Sequence, residues 1–324
     1  MDWLNFLIES LAFSATFIYG STGEIITEKS GHLNLGIPGI MCVGGAGGCA
    51  ILNVIGKSDL PPMLIVVIGI LFAFVSAALM GAVYSFLTVT LRCNQNVTGL
   101  ALTTFGVGLA WTIMAKLEQV KYLNTPKKYF RFPFYDSLKT WQDIGLSSMQ
   151  KLGIMFFLAI AVAIAASYIL YHTKVGLNLR AVGENAATAD AVGINVTRYK
   201  YVATCLGSGI AGLGGLYYIV DFSASGEAYK SLEAFGWLSI ALVIFALWRP
   251  HITILGSAVF GILFSCSSML ANLPFVHLTM TATPILRMLP YVVTIIVLVI
   301  TSAQKKRENQ PPEGLGLAYF REER

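Results

Sequence analysis

Charge is scarce in this chain. Lys, Arg, Asp and Glu make up 12% of its 324 residues, hydrophobic residues make up 56%, and the mean hydropathy is +0.69. A soluble domain of this size carries about a quarter charged residues. Long stretches have none: no Asp, Glu, Lys or Arg lies between Asp59 and Arg92, Lys151 and Lys174, Lys200 and Asp221, or Arg287 and Lys305. Each interval is close to or longer than the roughly 20 apolar residues that cross a bilayer, so water is not the main solvent. Paired cysteines are also missing. Cys42, Cys49, Cys93, Cys205 and Cys266 stand singly in or beside apolar stretches, without a CxxC pair or a His at ligand spacing, and read as small apolar residues. His32, His172, His251 and His277 are equally dispersed, which supports no metal site, and no cofactor is implied. The phosphate-cradling GxxxxGK[ST] occurs nowhere, so any ATP-driven work needs a partner. No nucleophile, base or metal set can be picked out, and the chain is not read as an enzyme.

The formal net charge is +5, yet the basic residues fall in short connections and at the chain end. Membrane orientation explains that placement better than nucleic acid does. Nine candidate spans follow: Leu4 to Gly20, Leu33 to Ile55, Met63 to Leu91, Val97 to Ala115, Leu152 to Tyr171, Tyr201 to Val220, Leu232 to Trp248, Ile252 to Leu273 and Ile285 to Thr301. Backbone amides cannot stay unpaired in hydrocarbon, and the alternating segments of a barrel are absent, so the expected fold is an all-α polytopic membrane protein. Asp2 and Glu9 stand where a signal peptide has basic residues, so the first span is expected to stay. Lys305, Lys306 and Arg307 after the last span predict a cytoplasmic C-terminus, and nine spans then put the N-terminus outside. The expected division is a permease domain over 1–304, with an extracytoplasmic loop at 116–151 and a cytoplasmic segment at 174–200, followed by a tail at 305–324. The outside loop is awkward for this topology, because Lys121, Lys127, Lys128, Arg131 and Lys139 make it basic.

Two places break the helical pattern. Gly31, Asn34, Gly36, Pro38 and Gly39 interrupt the start of the second span, and Leu232 to Trp248 is short, its charge-free part covering about 22 Å at 1.5 Å per residue. Short or Gly/Pro-interrupted spans point to a transport path, since unwound backbone at membrane depth is tolerated where it lines a cavity. Gly207, Gly209 and Gly212 match GxGxxG, but no strand precedes them; Gly207, Ala211 and Gly215 share one helix face, as do Gly44 and Gly48, which reads as close helix packing. Between two spans, GLNLRAVGENAATADAVGINVTRY runs from Gly176 to Tyr199 and is not membrane-like. Asn185 can cap a short helix there and Gly193 can close it in the left-handed conformation. Such an alanine-rich helix either seats in a groove of another protein, rimmed by Arg180, Glu184 and Arg198, or lies on the membrane surface.

The run GEIITEKSGHLNLGIPGIM, Gly23 to Met41, resembles the GExxTExxGxLNLGxEGxM signature of permease subunits of bacterial ABC importers for nucleosides and simple sugars, a family that also takes in ribose and branched-chain amino acid permeases. VTGLALTTFGVGLA (Val97 to Ala110), GLNLRAVGENAATADAVGI (Gly176 to Ile194) and the tail RENQPPEGLGLAYFREER (Arg307 to Arg324) are similar to further blocks of that family, in consistent order. The resemblance implies a permease without its own ATPase in the bacterial cytoplasmic membrane. It further implies ABC ATPase partners, a second related permease in a heterodimer, and an extracytoplasmic substrate-binding lipoprotein. By the same resemblance, Arg180, Gly183, Glu184, Asn185, Ala187, Ala189, Gly193 and Ile194 belong to the segment that couples to the ATPase, and Leu33 to Gly39, with Asn34, Leu35, Gly36, Pro38 and Gly39, lies beside the path. Pro38 stands where the family usually has an acidic residue, which weakens any claim for a charged group there and marks a subgroup with a different substrate.

An uncharged, hydrogen-bonding solute would find Asn34, Asn94, Gln95, Asn96, Thr98, Thr103 and Thr104, with Phe235 and Trp237 as stacking surfaces; Asn94 to Asn96 read equally well as a helix-linking turn. The competing class is an ATP-independent secondary transporter or channel. Such proteins place ionisable residues within spans, and here only Glu9, Glu24 and Asp221 come near that, all close to span ends.

Overall fold

The computed structural model describes residues 2–56, 58, 60–117, 130, 147–271, 288, 289, 291–293, 295, 296, 299 and 310–320. Most of the basic 116–151 loop and of the expected ninth span lies outside the described residues, as do Lys305, Lys306 and Arg307. Among the described residues every regular element is helical. In chain order they are α1 (Asp2–Glu28), α2 (Ile37–Ile55), α3 (Pro62–Ser85), α4 (Gln95–Met114), α5 (Ile154–His172), α6 (Lys174–Glu184), α7 (Ala186–Ala191), α8 (Val196–Leu216), α9 (Leu232–Phe245) and α10 (Pro250–Ala271). Wider π-helical turns extend α3 over Phe86–Thr90 and α8 over Tyr217–Ser223.

Among the described residues six stretches are long and apolar enough to cross a membrane: Ile37–Ile55, Pro62–Thr90, Gln95–Met114, Ile154–His172, Val196–Ser223 and Ala228–Phe245. This falls short of the nine expected from the sequence. α1 drops out because Ser10, Ser14, Thr16, Ser21, Thr22, Glu24, Thr27 and Glu28 lie along it. Other helices bury all of them, so they need not be compatible with lipid. Ser10, Ser21 and Thr27 return their hydroxyls to carbonyls of the preceding turn, which satisfies them within the helix. The apolar part of α10 is shorter, Pro250–Cys266.

α1, α2 and α8 form the centre. In the most apolar window of α2 and of the α8 stretch 72% of residues are buried by protein, against 33% for α3 and 28% for α5. The outer helices instead expose Leu71, Leu79, Ile164 and Tyr168. On a soluble protein so extensive an apolar surface would mark a binding face, and here it is the surface left for lipid. The centre closes through glycine. A Cβ on Gly44 would meet the backbone of Gly212 and one on Gly215 the backbone of Met41, while Gly23 and Gly207 lie against each other's main chain. The GxGxxG run is thus a helix-packing surface in the middle of α8.

The connections sort to two ends. At one, the 29–36 loop, the turn at 91–95, α6, α7, the 246–250 corner and residues 310–320 meet through Gly31–Gly316, Gly183–Gly314, Gln95–Leu317, Asp190–Tyr319 and Glu28–Trp248 contacts. At the other, Asn5 lies against Ser148, Glu9 pairs with Lys151, and Trp111 faces Tyr229.

Candidate functional site

The chain between α1 and α2 is not helical over 32–34 and carries Gly31 at φ 84°, a left-handed turn that favours glycine. Its exposed backbone groups are satisfied one by one from other helices, as buried main chain requires. The Leu33 N–H donates to Gln95 Oε1 at 2.8 Å and the Asn34 N–H to Glu24 Oε1 at 3.0 Å. Tyr84 donates its hydroxyl to the Leu33 carbonyl at 2.6 Å, and Thr103 donates to the Leu35 carbonyl at 2.7 Å. Asn34 Oδ1 accepts the Gly36 N–H at 2.9 Å, ahead of Pro38 in the first turn of α2. Asn34 Nδ2 is buried and makes no hydrogen bond among the described residues, so this amide keeps a donor in reserve. His32, 1% exposed, sets Nδ1 3.1 Å from Thr204 Oγ1, and burial, with Lys200 nearby, holds its imidazole well below the usual range. Tyr84→Phe deletes one of these anchors, and we expect it to lower stability by about 1 kcal/mol, read as a shifted unfolding midpoint in mixed micelles.

Of the residues expected to line a path, the structure brings together Asn34, Leu35, Gly36, Pro38, Gly39 and Thr103, with Gly99 against Leu35, Gly106 against Gly39, and Gly236 of α9 against Pro38. Thr98 is buried on the same helix as Thr103, whereas Asn96 and Thr104 are exposed. Asn94 accepts the N–H groups of Asn96 and Val97 and caps α4, which is the helix-linking turn. Phe235, 4% exposed, is ringed by Phe13, Phe17, Tyr218 and Phe264, and its faces are occupied by the core. Trp237 is half-buried.

The coupling candidates gather at the end described above. Asn185 accepts the Thr188 N–H at 2.9 Å and caps α7, and Gly193 closes it at φ 87°. Ala187 is exposed, but Ala189, 2% exposed, is turned inward against Val182 and Val196. Arg180 stacks 5.1 Å from the Tyr171 ring, and a Cβ on Gly183 would meet the Lys29 backbone, so α6 touches the 29–36 loop directly. Glu184 accepts the Glu313 N–H at 3.3 Å, and Ile194 is half-buried. Sequence reasoning missed the strap formed by residues 310–320, which lies across the loop and α6–α7, and it missed Tyr84 and the Glu28–Trp248 contact. Glu24 and Glu28, four residues apart in an otherwise charge-poor helix, were the available signal, since that spacing puts both on one face.

The family described as branched-chain amino acid transport system / permease component matches residues 6–298. Three curated proteins are similar over most of their length. The nucleoside ABC transporter permease protein NupC of Lactococcus lactis subsp. cremoris (strain MG1363) is 31% identical, covering 90% of each chain. The putative glucose ABC transporter permease protein TsgC13 of Haloferax volcanii is 30% identical over 81% of this chain and 77% of its own. The guanosine ABC transporter permease protein NupQ of Bacillus subtilis (strain 168) is 28% identical over 89% of each. With a lipid-facing helical bundle around a broken helix, and a match over nearly its whole length, the chain belongs to the branched-chain amino acid transport system / permease component family and is a transport component rather than an enzyme.

Proposed function

We propose that the chain is the permease subunit of an ATP-binding cassette importer that moves a nucleoside or simple sugar by alternating access, driven by a partner ATPase. The observation that carries this reading is the 29–36 loop: unwound backbone held by α1, α3, α4 and α8 inside a lipid-facing bundle, with the α6–α7 segment against it. A push on α6 reaches the loop through Gly183. The pathway residues are Asn34 to Gly39, Thr98, Thr103 and their neighbours, which offer amides and hydroxyls but no full charge apart from Glu24, as suits an uncharged polar solute. The similar proteins named for nucleosides, guanosine and glucose support that class.

The assembly has an ABC ATPase on the α6–α7 end, a second related permease, and an extracytoplasmic binding protein at the opposite end. That places the α6–α7 end in the cytoplasm of a cytoplasmic-membrane protein, and its cluster of Lys29, Arg92, Lys174, Arg180, Arg198 and Arg249 agrees with the inside charge bias. The nine-span topology includes α1, α10 and a last span over Ile285 to Thr301. The 1–304 domain and the 305–324 tail then act together, because the strap at 310–320 contacts the loop.

In proteoliposomes holding the chain with its ATPase, partner permease and binding protein, labelled guanosine, uridine or ribose should accumulate only with ATP inside the compartment that holds the ATPase. Accumulation without ATP, at the same rate and driven by an ion gradient, would overturn the reading. Thr103→Val should lower that uptake severalfold while leaving assembly intact, checked by uptake per assembled complex, because it releases the Leu35 carbonyl from its anchor.

A further inference from the structure

A cavity lies beside the loop, lined by His32 but not by Asn34 to Gly39. It encloses about 680 Å³ between the end of α3, the starts of α4 and α8, the α7–α8 turn and the strap. Arg92, Arg198 and Lys200 line it, and among the described residues the one carboxylate on the lining is Asp190, whose Oδ2 accepts the Tyr319 hydroxyl at 2.8 Å. Three cations against one acid leave an excess of positive charge among the described residues of the lining.

Lys200 is only 4% exposed, and its side chain makes no hydrogen bond or ion pair among the described residues. It also lines the adjoining groove that holds Glu184 and Glu313. Its stem is packed in protein and its head group reaches the cavity, where an anion would find it in surroundings that hydrate a charge poorly. The helix α8 begins at this cavity and turns its positive dipole end toward it, while the first turn of α4, which touches the lining at Gln95, is capped by Asn94. Asn195 caps the Arg198 N–H, and Val196 and Thr197 of the same first turn lie on the lining. Arg92 is held at φ 56°, a conformation that residues with side chains adopt rarely and that collects at ligand sites. Beyond the rim the surface turns apolar: Phe86, Val202 and Leu206 are about half exposed.

We propose that this cavity binds the phosphate of an anionic ligand, and the apolar flank of Phe86, Val202 and Leu206 points to a phospholipid whose headgroup enters between Arg92, Arg198 and Lys200. Basic pockets between membrane helices take anionic headgroups on these terms. The site goes beyond the transport reading and holds whichever solute crosses.

Native mass spectrometry of the purified chain in neutral detergent, offered phosphatidylglycerol and phosphatidylcholine, tests it. Phosphatidylglycerol should be retained preferentially, and Arg92→Gln with Arg198→Gln should weaken that retention by about fivefold per charge removed. Lys174→Gln, equally basic and at the same end but exposed and off the lining, should leave retention unchanged, and the thermal transition of each variant reports whether it folds. Lys200→Met, which removes the innermost charge, should weaken retention by at least that factor without lowering that transition. If phosphatidylglycerol is not preferred but millimolar inorganic phosphate raises the transition of the wild type and not of the variants, the phosphate site stands and its lipid source is overturned. If Lys174→Gln weakens retention as much as the cavity variants, or neither ligand binds, the proposal falls.

Discussion

Gly44→Leu is expected to unfold the centre of this protein. A Cβ at that position would lie 2.7 Å from the Gly212 carbonyl oxygen and 2.8 Å from its carbon, and neither atom can swing aside as a side-chain tip would. Overpacking a core costs about 1–3 kcal/mol; with backbone on both sides the cost should reach about 3 kcal/mol, the upper end of that range. The comparison is Gly108→Leu on the outer face of α4, where an added Cβ would meet nothing within 4 Å. Titrating both variants with dodecyl sulfate in mixed micelles, followed by helical circular dichroism, should give a greatly lowered midpoint for the first and an unchanged one for the second. Equal midpoints would show that α2 and α8 do not meet as described.

The second large effect is expected at Ala187. It lies on the outward face of α7 with Thr188 and Val192, the last 71% exposed, and so offers the small, bare surface that a partner groove would accept. Ala187→Glu should insert and fold normally, yet reduce ATP-driven uptake at least about tenfold, since a charge carried into a closed contact must be stripped of water. Ala189→Glu is a different experiment. Ala189 sits inside the cluster of Val182 and Val196, so a carboxylate there damages the chain itself, and lost uptake would say nothing about a partner. A cysteine at 187 that crosslinks to the ATPase in the assembled complex would give the contact directly. Normal uptake and ATPase co-purification by Ala187→Glu would remove α7 from the coupling role.

Much of this architecture was legible because it rests on local chemistry. Glycine, asparagine and proline between Gly31 and Gly39 are poor helix formers in sequence and lie at a real interruption before α2. Asn185 and Gly193 mark the two ends of a helix six residues long, where periodicity has too few turns to be read. The residues that went unread depend on distant partners. α1 looks too polar to be central until other helices are seen to cover its hydroxyls and carboxylates. Phe235 resembles a free stacking surface in sequence and is enclosed by four other rings. The strap at 310–320 has no periodicity, and its main-chain hydrogen bonds to Gly31 and Gly183 are formed by backbone, which no sequence pattern marks. The basic cavity assembles Arg92, Arg198 and Lys200 from the ends of separate helices, and only the close approach of α3 and α8 puts the first beside the others.

The glycine seam between α2 and α8 also decides which parts of this machine can bend. Contacts made by side chains can slip, because rotamers exchange and a ridge can shift by one groove. Main chain against main chain has no rotamers to exchange, and close packing leaves no slack. Gly44 on Gly212 and Gly215 on Met41 therefore weld the two helices into a single frame. On the proposed coupling role, a stroke delivered at α6 would be taken up where the helices loosen instead: at the wide turns over Phe86–Thr90 and Tyr217–Ser223 and at the left-handed corner of Leu247 and Trp248. Such irregular turns are where long helices bend, so the chassis runs through α2 and the body of α8, and the joints lie at the far end of α8, at the end of α3 and at the corner after α9.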